Sequence, residues 1–106
     1  MTWLDDVQED TGEWLEETVP DAEPLDQAGH VSTEASELLD LLVKEKQYAD
    51  YEADPGEIRK EAGDVVVALM SFCELEDIDL SGCVEAALDK NESRDWGEHK
   101  AREGDE

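Results

Sequence analysis

The run EIRKEAGDVVVALMSF, Glu57 to Phe72, is the most apolar stretch of the chain, and any fold must be organised around it. Asp54-Pro55-Gly56-Glu57 announces a helix there, with an N-cap aspartate, a proline at the first helical position and a glutamate at the third. Ile58, Val65, Leu69 and Phe72 then recur at helical spacing over four turns, too long for an ordinary strand despite the strand preference of the three valines. From Val65 to Cys73 this helix is apolar nearly all round, which predicts cover on several sides. In a chain of 106 residues a second subunit is a natural cover.

Three more helices follow from the same reading, and no internal repeat or strand alternation competes with them. The first spans residues 3–18, with Thr2 as N-cap, Asp5 at the capping-box position and Trp3, Leu4, Val7, Trp14 and Leu15 as a sparse apolar side. The second spans residues 25–46, with Val31, Ala35, Leu38 and Leu42 as its stripe. The third spans residues 55–76. Asp79 caps a fourth over residues 80–94, where Leu80, Val84, Ala87 and Leu88 would face the core. The expected architecture is all-α and four-helix-bundle-like, one domain over residues 1–96, with a disordered acidic tail at 97–106.

The chain carries 32 acidic against 8 basic residues, a formal charge of −24. Such a field repels nucleic-acid polymers and anionic membranes. Clustered, periodic hydrophobic residues argue against wholesale disorder, so the acidity reads as adaptation to a salt-rich cytosol, that of a halophile, where self-repulsion is screened within a few ångströms. The acidic first ten residues lack the apolar core of a signal peptide, no segment has the length of a membrane span, and the expected location is cytoplasmic. Cys73 and Cys83 form no zinc pattern and read as buried free thiols.

Against this background, Glu61 and Asp64 are out of place. Winding the third helix at about 100° per residue puts Glu61 among Val65, Ala68, Phe72 and Leu75, with Asp64 at the edge of that sector. The second helix repeats the device, with Glu34 and Glu37 bordering its apolar stripe. A buried carboxylate must be neutralised, paired or metal-bound, and basic residues are too few to pair all four. Two carboxylate pairs facing one seam suit a hard cation, Mg²⁺ or Mn²⁺. In so acidic a chain ExxE spacings also arise by chance, as at Glu13/Glu16, so the weight rests on position within the apolar sector.

Lys90, Asn91 and Arg94 gather near the end of the fourth helix. Lys90 and Arg94 are one turn apart and could present a point charge and a planar fork to one anion, although cations there also favour the helix dipole. Metal-binding acids plus a basic pair would fit a phosphate-bearing substrate. Trp14 or Trp96 could stack on a base, while a tryptophan in a small helical domain is more often core. His30 reads as a surface residue at a helix start.

EASE (Glu34 to Glu37), EAGD (Glu61 to Asp64) and KNESRDW (Lys90 to Trp96), in that order, resemble the MazG-type nucleotide pyrophosphohydrolases, over roughly Leu25 to Trp96. The resemblance implies a helical bundle, homodimeric or homotetrameric, that cleaves a nucleoside triphosphate to monophosphate and pyrophosphate with Mg²⁺, cleansing the nucleotide pool. It implies Glu34, Glu37, Glu61 and Asp64 as metal ligands or as groups that orient the attacking water, and Lys90, Asn91 and Arg94 as phosphate contacts. The spacer between the acidic motifs is short, Leu38 stands where a second acidic neighbour is found in the family, and the basic motif lacks a His-Pro tail. A competing expectation from a different class is a non-catalytic acidic module that binds a partner and oligomerises through its third helix. Such a module has no need of Lys90 and Arg94 opposite four acids.

Overall fold

The computed structural model describes residues 3–93. Four helices follow one another: α1 (Trp3–Thr18), α2 (Pro24–Gln47), α3 (Pro55–Leu75) and α4 (Leu80–Ser93). Among the described residues there is no strand, so the all-α expectation holds. Thr2, Arg94, Trp96, His99 and the acidic tail lie outside the described residues.

The helix ends follow from local chemistry. Asp54 accepts a hydrogen bond from the Glu57 backbone N–H at 3.2 Å, and Pro55 opens α3 as its sequence predicts. Pro24 opens α2 one residue earlier than the stripe suggests, since proline loses nothing at a position whose N–H has no helical partner. At the far end of α3, Asp77 adopts φ 57° and the Ile78 N–H returns to the Cys73 carbonyl at 3.0 Å, a left-handed stop made without glycine.

α3 is the central element, and α1, α2 and α4 all pack against it. The core lies where α1, the second half of α3 and the start of α4 meet: Met70, Cys73 and Leu80 are buried, with Leu4, Val7, Leu69 and Phe72 around them. Gly12 of α1 lies against the Glu74 side chain of α3, whose carboxylate would have to shift to make room for a Cβ there. Buried Gln8 of α1 clasps the turn between α3 and α4. Its Nε2 donates to the Ile78 carbonyl at 2.9 Å and its Oε1 accepts from the Leu80 N–H at 2.6 Å. Asp5 accepts from the Ser81 hydroxyl of α4 at 2.7 Å; the Thr2 side of its expected capping box lies outside the described residues.

Several expectations about facing are corrected. On α2 the half-buried positions are Pro24, Gln27, Val31, Glu34, Leu38 and Leu41, alternating steps of three and four, whereas Ala35 and Leu42 are exposed. Val31 and Leu38 belong to both stripe and seam, so the seam is turned from the apolar stripe by less than the 100° of one residue, and it contains Glu34. α4 buries only Leu80, leaving Val84, Ala87 and Leu88 exposed, because it meets α1 and α3 near its first turn. Trp3 and Trp14 are not core residues, and Cys83, unlike Cys73, is exposed. Burial, followed by the neighbouring Cys83, pushes the Cys73 thiol above its ordinary range.

α2 has no buried residue along its 24, and Leu39 (62% exposed), Leu42 and Val43 form an apolar row on its outer side. No described helix is long and apolar enough to cross a membrane.

Candidate active site

The short link from Tyr48 to Asp54 makes α2 and α3 antiparallel neighbours. Glu34, midway along α2, therefore meets the first half of α3. There Glu34, Glu61 and Asp64 each offer an oxygen, and these oxygens all lie within 4.8 Å of one another. The Glu34 and Glu61 side chains are only 12% and 16% exposed, and Asp64 stands at the rim at 40%.

Partial neutralisation comes from the outside. Lys60 places its ammonium 3.7 Å from Glu61 Oε1 and 3.6 Å from Asp64 Oδ2. Glu61 first, then Asp64, raise the Lys60 pKa. On the other side His30 Nε2 lies 3.4 Å from Glu34 Oε1. Both contacts reach the Oε1 atoms alone. The Oε2 atoms of Glu34 and Glu61 are buried and have no hydrogen-bond partner. Two carboxylates this close repel by roughly 3 kcal/mol at an effective dielectric of about 20, and each unpartnered buried oxygen adds a desolvation cost.

These groups fit a divalent cation. Three carboxylates against one rim ammonium leave two negative charges, and all the donors are hard oxygens, as Mg²⁺ and Mn²⁺ prefer. Glu37, one turn beyond Glu34, does not join this group. It is exposed and lines a separate shallow depression with Ser32, Thr33, Ser36 and Asp40. Glu34 already lies towards one edge of the α2 seam, and a further step of three residues turns the side chain about 60° more in the same sense, off the seam.

A trough of about 530 Å³ runs from the carboxylates, within the range of about 300–1,000 Å³ that small-molecule sites occupy. Asp26, Gln27, His30 and Glu34 of α2 line one side, Asp64, Val67, Ala68 and Ser71 of α3 another, and Trp14, Leu15 and Val19 close it. The antiparallel pairing fixes its direction: from Glu34 back to Asp26 is about 12 Å, and from Asp64 on to Ser71 about 10 Å, towards the same end. Trp14, 51% exposed, is part of this lining. His30, which reads from sequence as a surface residue, belongs to this wall, as do Asp26 and Gln27. Their spacing from Glu34, four, eight and seven residues, was the available signal, since it puts them along one side of α2.

Lys90 and Asn91 are exposed on α4 and do not line the trough. The expected arrangement of a basic motif opposite the acids is therefore not formed by the described residues of one chain. Arg94 lies outside the described residues.

An all-α domain that turns carboxylates from two adjacent helices onto one point, at the head of a trough of small-molecule size, is a helical domain with a candidate cation site. The family is more specific: residues 23–97 match the MazG nucleotide pyrophosphohydrolase domain, and the chain belongs to that family. The match takes in α2, α3 and α4; α1, which supplies Trp14, precedes it. Searches of curated proteins and of solved structures find no match to the chain.

Proposed function

We propose that this protein is a Mg²⁺-dependent nucleoside triphosphate pyrophosphohydrolase, with Mn²⁺ as an alternative ion, acting in cytoplasmic cleansing of the nucleotide pool. The observation that carries the reading is the pair of buried, unpartnered oxygens on Glu34 and Glu61, in a chain of the MazG family. Family membership supports a nucleotide as substrate, and the trough beside the carboxylates supports a bound small molecule.

Glu34, Glu61 and Asp64 would hold the ion from two helices. Glu37 is kept as a fourth carboxylate on the strength of the motif alone. A bound divalent ion supplies charge neutralisation for the triphosphate and acidifies a water molecule. The chain's own residues do the rest. A carboxylate oxygen of the group accepts the proton of the attacking water as the α–β anhydride bond breaks, giving nucleoside monophosphate and pyrophosphate. Lys60 stays at the rim, where its charge favours an anion near the acids. Lys90, Asn91 and Arg94 are proposed contacts for the phosphates, and Trp14 for the base.

The apolar row on α2 supports a homodimer or homotetramer, since the outer side of this 24-residue helix has no cover among the described residues. The direct test of the activity is pyrophosphate release in high KCl with Mg²⁺ and a panel of ribo- and deoxyribonucleoside triphosphates. Activity that is lost in Glu61→Gln with helicity intact is the expected result. A folded protein silent across the panel would remove the proposal.

A further inference from the structure

The end of the trough remote from the carboxylates has its own chemistry. Asp26 and Gln27 stand in the first turn of α2, where free backbone N–H groups would ordinarily attract a phosphate. Here both N–H groups already donate to the Glu23 carbonyl, at 3.0 and 3.2 Å, and the Asp26 carboxylate repels anions. That end is therefore closed to the triphosphate. It offers a carboxylate acceptor and the amide of half-buried Gln27, about 12 Å along α2 from Glu34, in a trough whose lining also includes Trp14.

An aspartate in the first turn of a helix is favourable for the dipole alone. The dipole does not account for Asp26 and Gln27 lining one wall of a trough together with Trp14. An aromatic face accepts any base, because every base has a π-face. A carboxylate discriminates, because it only accepts hydrogen bonds: an exocyclic amino group satisfies it, whereas a keto oxygen at the same position meets it with like polarity.

Resting on the pyrophosphohydrolase reading, we infer that Asp26 and Gln27 read the edge of the nucleobase stacked on Trp14 and select bases carrying an amino group. Adenine and cytosine are favoured over hypoxanthine and uracil. Asp26 is exposed, so the selection is modest, on the order of tenfold in kcat/KM.

The test compares ATP with ITP and CTP with UTP, pairs in which an amino group is exchanged for a keto group. Pyrophosphate release and, separately, equilibrium dialysis of the corresponding 5′-monophosphates with Mg²⁺ are measured in the full chain at high KCl. The expected result is an amino preference of about tenfold in both measurements, removed or inverted in Asp26→Asn, whose amide can donate. Trp14→Ala should weaken all four monophosphates alike. Equal handling of each pair by the wild type, or a preference unchanged in Asp26→Asn, would overturn the inference while leaving the hydrolase intact. Amino-selective binding of the monophosphates without pyrophosphate release from any triphosphate would instead sink the hydrolase and support the base contact.

Discussion

Glu34 on α2 and Glu61 on α3 face each other across the helix pair, each with an outer oxygen near a basic side chain and an inner oxygen buried with no partner. A chain that only needed to be acidic would leave those groups in water. Their inward placement costs stability unless something fills the gap, and the surrounding donors are all of the kind a hard cation accepts.

The three converging carboxylates and Glu37 should separate in a metal titration. Glu34→Gln and Glu61→Gln should each weaken the first Mn²⁺ by about 10- to 100-fold, read by electron paramagnetic resonance, in line with the loss of a ligand or its support. Glu37→Gln should leave that first ion within about threefold. An equal loss in all of them would put Glu37 in the same coordination shell, against the metal-free geometry.

Stability should move in opposite directions with and without metal. In chelator-treated protein, Glu61→Gln removes one of two repelling buried carboxylates and should raise unfolding free energy by roughly 1–3 kcal/mol. With millimolar Mg²⁺ the wild type should gain stability and the variant should not. Parallel shifts of both proteins on adding metal would remove Glu61 from the site.

The Gln8 clasp makes a prediction that does not involve the site. Gln8→Ala leaves the buried Leu80 N–H and the Ile78 carbonyl without their partners, a loss of about 1–3 kcal/mol in chemical denaturation. Hydrogen exchange should accelerate first at Leu80 and through the opening turn of α4. Unchanged protection there would mean that water replaces the glutamine at little cost.

A protein of formal charge −24 and a polyanionic substrate repel each other, and salt screens that repulsion. The KM for the magnesium nucleotide should therefore fall as KCl rises from about 0.1 M to 2 M, where the Debye length drops from about 10 Å to below 3 Å. Circular dichroism over the same range should show helicity gained with salt. Full helicity in dilute buffer would contradict the reading of the acidity as salt adaptation.

Much of the fold was legible because its signals are local. Proline at the first helical positions, the Asp54 cap and the apolar period place the four helices, with the ends of α2 and α3 to within a residue, and the ordered acidic motifs indicate the family. Facing was less legible. Ala35 and Leu42 look as good a flank to Val31 and Leu38 as Glu34 and Leu41 do, since both choices keep helical steps of three and four and propensity hardly differs. Trp14 looks like core for the same reason, whereas His30 is exposed, as it reads, and lines the trough from the surface.

The sequence alone determined the helices, their order and which acids sit one turn apart, because these depend on neighbours along the chain. The rotation of α2 against α3 was decided only by packing, which brought Glu34 inward, left Glu37 outside and assembled the trough from three helices. No local rule sets that angle; it comes from fitting one helix's side chains into the grooves of another.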